Sequence, residues 1–199
     1  MIKGIIFDLD GTLIQLPVNY EIVQNNLKEF FKTSENLKPL IPTIIKLSKN
    51  DQNKIDTSFD LICKEEVLAS KNFKIMTDAV EILHFLKSKN FSLCLVTMQC
   101  RDALEKILKK MEVLDLFDSI ISRDDSYDRF EQIKNSLKNI HLKPSDVLVV
   151  GDRIHDVKSA KKAGCIPVLK INEIEKILSF PCQRIKNLNE IKKINFSQF

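Results

Sequence analysis

No stretch of the chain approaches the ~20 consecutive apolar residues that a membrane-spanning helix needs, so a transmembrane topology is not expected. A secretory signal is not expected either. The N-terminal run Met1 to Phe7 is apolar only briefly and then meets two aspartates, which makes it too short and too acidic. There is no C-x-x-C pair. The five cysteines (Cys63, Cys94, Cys100, Cys165 and Cys182) are an odd number at scattered spacings. They predict free thiols in a reducing compartment, with the cytoplasm as the expected location. Clustered basic charge is lacking too. The net charge of +4 comes mostly from lysines spread along the chain, and the pairs Lys109-Lys110, Lys161-Lys162 and Lys192-Lys193 are far apart. This is a solvated lysine-rich surface, not a nucleic-acid patch, and its mildly positive field suits a small anionic partner. No internal repeat or low-complexity segment is present.

What is present is a folded-protein composition. Hydrophobic residues make up 44% and charged residues 29% of 199 residues. That length predicts one domain, or a core with a modest insertion, able to bury its core without metal or disulfide support. Short apolar runs mark buried strands at Ile2 to Leu9, Phe91 to Val96, Ser119 to Ile121, Val147 to Val150 and Ile166 to Leu169. Near-continuous runs of this length suit a parallel sheet covered on both faces. Helical periodicity fills the gaps: Val80, Leu83 and Leu86; Leu104, Ile107, Leu108 and Met111; Phe130, Ile133, Leu137 and Ile140; then Ala160 and Ala163, stopped by Gly164. Strand alternating with helix predicts an α/β fold, a Rossmann-like parallel sheet with right-handed crossovers.

One stretch breaks the alternation. About sixty residues after the first strand contain no convincing strand, but three amphipathic segments at Val18 to Phe31, Leu40 to Leu47 and Phe59 to Ala69. Pro39, Pro42 and the polar run Ser48 to Thr57 separate them. A small helical insertion is expected over residues 15–74, within a core of residues 1–14 and 75–199.

Acidic residues gather at the predicted strand ends. The first strand runs into Asp8-Leu9-Asp10-Gly11-Thr12, and ligands of open α/β sheets bind beyond the carboxyl ends of strands. Taken alone, the string also fits a simple turn. It does not fit a calcium loop, because the glycine falls two places early and Asn19 stands where a glutamate is required. The second strand ends at Thr97, a hydroxyl suited to an anionic oxygen or to a helix cap. The fourth runs into Gly151-Asp152-Arg153-Ile154-His155-Asp156, whose carboxylates four apart share one side of a helical turn, with an N-cap as the plainer role for Asp152. Hard oxygen donors at two strand ends are what Mg²⁺ takes.

Together these segments resemble the haloacid dehalogenase-like superfamily, and within it the phosphoglycolate phosphatase-like branch. The resemblance spans nearly the whole chain. It rests on Asp8 to Thr12, on Thr97, and on Gly151, Asp152 and Asp156. It implies a helical cap after the first motif and Mg²⁺-dependent hydrolysis of a small phosphorylated metabolite. Asp8 would be the nucleophile and form an aspartyl-phosphate. Asp10 would be the general acid and base. Asp8, the Asp10 carbonyl and Asp152 would hold the metal, with Asp156 behind them orienting ligands or water. Thr97, the N–H of Met98 and a basic residue would bind the phosphoryl oxygens. The family's Lys-Pro is missing from its usual place near Tyr127; Arg129 is the leading substitute, then Lys134, then Arg123. A phosphoglucomutase-type transfer, or a non-catalytic binding protein on the same fold, are the alternatives. The sequence leaves the physiological substrate and the oligomeric state open.

Overall fold

The protein is described by a computed structural model that covers residues 1–171 and 181–196. Among the described residues, eight strands and seven α-helices follow one another as β1 (Gly4–Phe7), β2 (Ile14–Gln15), α1 (Tyr20–Phe31), α2 (Leu40–Ser48), α3 (Gln52–Ala69), β3 (Lys74–Ile75), α4 (Ala79–Ser88), β4 (Ser92–Val96), α5 (Arg101–Lys110), β5 (Ser119–Ile121), α6 (Arg129–Ile140), β6 (Val147–Gly151), α7 (Ile154–Ala163), β7 (Ile166–Lys170) and β8 (Gln183–Ile185). The main sheet is six-stranded in the order β5-β4-β1-β6-β7-β8, and every pairing in it is parallel. Chain order reverses between β4 and β6 around the central β1, so the carboxyl ends of these three strands share one crevice.

Side-chain alternation explains why both faces need covering. In β1, Ile5 and Phe7 join one apolar cluster while Ile6 joins the other. In β4, Leu93 and Leu95 go one way and Cys94 and Val96 the opposite; in β6, Leu148 and Val150 oppose Val147 and Val149. Helices α4 and α5 close the first face with Ile82, Leu83, Leu86, Leu104, Ile107 and Leu108. Helices α6 and α7 close the second with Ile133, Leu137 and Ala160. Fully burying one such side chain is worth about 1.5–3 kcal/mol, so each face is held by many small gains. Among the described residues no helix is long and apolar enough to cross a membrane.

The segment between β2 and β3 consists of three helices and the loops that join them. α1, α2 and α3 share a third cluster built on Val23, Leu27, Leu37, Ile44 and Ile62. β2 and β3 pair antiparallel at its neck, Ile14 with Ile75 and Gln15 with Lys74. The ribbon escapes a sequence reading because two residues carry no periodicity, and β8 because its Gln183 and Arg184 are polar and exposed, which leaves no apolar run. α3 starts at Gln52, inside the polar run expected to be a linker. Asp51 caps it by accepting from the Lys54 N–H at 3.3 Å, and Gln52, Asn53 and Lys54 all lie exposed.

The free-thiol expectation fails for two of the five cysteines. Cys63 on α3 and Cys100, which precedes α5, form a disulfide with Cα atoms 5.6 Å apart. Thirty-seven residues of sequence separation are invisible as a pairing signal, because folding alone brings α3 onto the loop after β4. Cys94, Cys165 and Cys182 are free. In the chain-entropy account, closing a loop of this length stabilises the fold by about 3–4 kcal/mol. Reductant should therefore lower the urea midpoint of the oxidised protein, and Cys63→Ser should show the lower midpoint with or without reductant. Equal midpoints for the wild type in both conditions would refute a stabilising role.

Candidate active site

Asp8 follows β1 directly, and its N–H donates to the Val150 carbonyl at 2.9 Å, so the sheet ladder itself aims the carboxylate into the crevice. Beyond it the chain turns sharply: Leu13 and Ile14 both return their N–H groups to the Leu9 carbonyl, and Gly11 donates to the Ile14 carbonyl at 2.8 Å. Gly11 takes φ +90, and a Cβ there would lie 2.2 Å from an Asp152 oxygen. The turn leaves Asp10 facing the crevice, one of its oxygens accepting from the Leu16 N–H at 2.8 Å. The other acids come from the turn after β6, which carries Asp152, and from α7. Asp156, in the first turn of α7, accepts from the Arg153 N–H at 3.1 Å. A Cβ at Gly151 would stand 2.5 Å from Asp156, so glycine there lets strand and carboxylate approach.

Carboxylate oxygens of Asp8, Asp152 and Asp156 lie within 4.8 Å of one another. Arg129, the first residue of α6, enters this group from the side. Its Nη2 donates to Asp8 Oδ1 at 2.6 Å and its Nε stands 3.1 Å from Asp156 Oδ1. The α6 start is fixed by Asp128, whose side chain accepts from the N–H groups of Phe130 and Glu131. Of the three cations the sequence left open, Arg129 is the one at Asp8. Lys134 pairs with Glu131 on the surface, and Arg123 forms a buried pair with Glu66 of α3 at 2.8 Å.

One buried guanidinium does not balance three acids. Burial pushes the Asp8 carboxyl up to about 8, with Asp156 and Asp152 adding to the rise and Arg129 opposing it. Burial also raises Asp10, against the Leu16 N–H and Arg153, and raises Asp152, against Arg153. An all-oxygen donor set that is short of positive charge fits a hard divalent cation such as Mg²⁺. Both oxygens of Asp156 already face protein donors, Arg129 and the Arg153 N–H, which suits an orienting place more than a ligating one.

The loop after β4 forms the opposite wall. Thr97 is fully buried, and its hydroxyl donates to the Gln99 side-chain oxygen while accepting from the Gln99 N–H. The Met98 carbonyl accepts from Arg123 Nη1 at 2.6 Å, and the Cys100 N–H donates to Glu66 at 2.9 Å. Helix α3 therefore reaches this loop. Tyr20 of α1 lies close enough to Asp10 and Arg153 for their charges to act on its hydroxyl, which burial above all holds above its ordinary pKa.

Sequence reading missed several residues here. Gln132 and Glu66 are buried polar groups at helical positions with no motif around them. Lys170 ends β7 and sends its Nζ to the Gly11 carbonyl at 3.0 Å, although its stretch reads simply as the end of a strand. The only available signal for Gln132 was its place one turn beyond Arg129 on the same helix.

Comparison with known proteins agrees with this geometry. The chain is 29% identical over 177 residues to a putative pyrophosphatase PpaX of Clostridium perfringens, covering 82% of this chain and 81% of that protein. It is 26% identical over 207 residues to a phosphoglycolate phosphatase of Nitrosospira multiformis, covering 92% and 91%. A crystal structure of a putative phosphoglycolate phosphatase from Lactobacillus plantarum shares the fold with a TM-score of 0.75 at 17% identity, over 97% of this chain and 99% of that one. A putative haloacid dehalogenase-like hydrolase from Bacteroides fragilis does so with a TM-score of 0.74 at 20% identity, over 96% and 100%. Residues 5–169, which hold every acid of the crevice, match the haloacid dehalogenase-like hydrolase family, and the chain belongs to that family.

Proposed function

We propose that this phosphohydrolase cleaves a small phosphate monoester through an aspartyl-phosphate on Asp8, with Mg²⁺ as its cofactor. The observation that carries the reading is the pairing of one acidic side chain with one buried cation: Asp8 at a strand end, gripped by Arg129 at 2.6 Å, with Asp10 two residues away. Relatives described as a pyrophosphatase and a phosphoglycolate phosphatase support a small anionic substrate. The three-helix insertion α1–α3 acts as the cap, since Tyr20 and Glu66 bring it within electrostatic reach of Asp10.

In this reading the Asp8 carboxylate attacks phosphorus, and the bond from phosphorus to the leaving oxygen breaks. Asp10, whose carboxyl burial raises above the usual carboxylate range, donates its proton to that oxygen. It then takes a proton from the water that attacks the acyl phosphate, releasing inorganic phosphate and restoring Asp8. Arg129 and the Met98 N–H hold phosphoryl oxygens, and Thr97 joins them once its hydroxyl turns from Gln99. Asp8, the Asp10 carbonyl and Asp152 would hold Mg²⁺, which supplies the charge that lets a carboxylate meet an anionic phosphate.

Phosphate release from an aryl phosphate, measured with Mg²⁺ and again after chelation, tests this. Chelation should cost on the order of 10² in rate or more. A folded protein that releases no phosphate from any monoester in Mg²⁺ would refute the reading.

A further inference from the structure

Gln132 has no solvent exposure and sits one turn beyond Arg129 on α6. Its side-chain oxygen accepts from Arg129 Nη1 at 3.1 Å. Its Nε2 donates to three carbonyls, those of Thr97 at 2.8 Å, Ser126 at 2.7 Å and Ser122 at 3.1 Å. Arg129 can only donate, so the amide oxygen must face it, and the two N–H groups are then shared among the three carbonyls. One amide thus joins the cation on Asp8, the loop that carries Thr97, and the loop after β5.

We propose that Gln132 is a positioning residue for phosphoryl transfer, setting the distance between the Arg129 guanidinium and the Thr97 loop. This rests on the phosphohydrolase reading above. Packing alone does not require an amide here. An apolar side chain of the same size would fill the volume without burying two polar groups that each need partners. A carboxylate would satisfy Arg129 but face three carbonyl oxygens with nothing to donate, and it would compete with Asp8 for the guanidinium. An amide offers an acceptor to one side and two N–H donors to the other. Both parts it joins must meet the same phosphoryl group, and misplacing a reacting group by about 1 Å costs on the order of 10²-fold in rate.

The experiment compares wild type, Gln132→Glu and Gln132→Met, all in Mg²⁺. Three quantities are read: kcat and KM on an aryl phosphate, the folded fraction by circular dichroism at the assay temperature, and the rise in Tm on adding inorganic phosphate. Gln132→Glu should lower kcat about 30- to 100-fold in folded protein and abolish most of the phosphate-induced Tm rise. Gln132→Met should lower kcat about tenfold, with KM changed less than kcat. Folded variants that keep kcat within threefold and keep the phosphate response would overturn the inference and leave the phosphatase reading intact. Variants that both fail to fold would show Gln132 to hold the fold and not the site, which also overturns it. An inactive wild type would remove the functional reading and this inference together.

Discussion

Asp8→Asn will reduce phosphate release by on the order of 10⁴-fold or more while leaving the protein folded. The amide keeps the shape of the carboxylate but cannot attack phosphorus, so no other residue of the crevice compensates. The same substitution will stabilise the metal-free protein, and the gain will depend on pH. Burial holds the folded-state Asp8 at about 8, far above the ~3.9 of an unfolded chain. The folded state therefore binds more protons than the unfolded one, and stability falls as pH rises between those two values. Below about pH 4 the group is neutral in both states and costs nothing; above about pH 8 the full cost is present. Asn removes it, so urea unfolding without Mg²⁺ should show a gain of about 1–3 kcal/mol at pH 8 and little at pH 4. The chain has no tryptophan, so circular dichroism is the suitable probe. A variant that retains a tenth of the wild-type activity would end the nucleophile assignment. Equal stability of the two proteins at pH 8 would end the account of a charge-starved crevice.

Arg129→Met should act in the opposite direction on stability and in the same direction on activity. The guanidinium is 5% exposed and is the buried partner of both Asp8 and Asp156. Its removal takes the shared donor from the buried Asp8 and Asp156 carboxyls, a loss of about 1–3 kcal/mol in metal-free protein near neutral pH. Activity in Mg²⁺ should fall on the order of 10²–10³-fold, because a cation beside the transferring group is lost. Arg129→Lys should recover part of the stability and less of the activity. One ammonium cannot span Asp8, Asp156 and the Gln132 oxygen as the fork of a guanidinium does. Combining Asp8→Asn with Arg129→Met should cost less stability than the sum of the two single changes, since the contact between them can be lost only once. Strict additivity of the two substitutions in unfolding experiments would argue against the ion pair.

Much of this site is legible in the residue string because its parts are local. Asp8, Asp10 and Gly11 stand on one strand end, and Gly151, Asp152 and Asp156 on another. A buried strand that runs into glycine and acid has few structural uses. The five core strands are legible for a similar reason, since burial on both faces leaves a short unbroken apolar run. The ribbon of β2 and β3 is too short to leave one. The place of Arg129 at a helix start makes it the leading cation for Asp8, but Lys134 and Arg123 stay open in the sequence, because what separates the three is what each meets across the fold.

The sequence alone determined the α/β class and the placing of acids at the carboxyl ends of β1 and β6, because each depends on periodicity or on spacing within a few residues. Only the tertiary structure decided the partners across distance. It placed Arg129 on Asp8 across 121 residues and Arg123 on Glu66 across 57, joined Cys63 to Cys100 across 37, and set Gln132 between Arg129 and the Thr97 loop. Such contacts are fixed by how helices pack on the sheet and by the demand of every buried charge and amide for a partner. That demand is met in three dimensions and leaves no mark in the order of the residues.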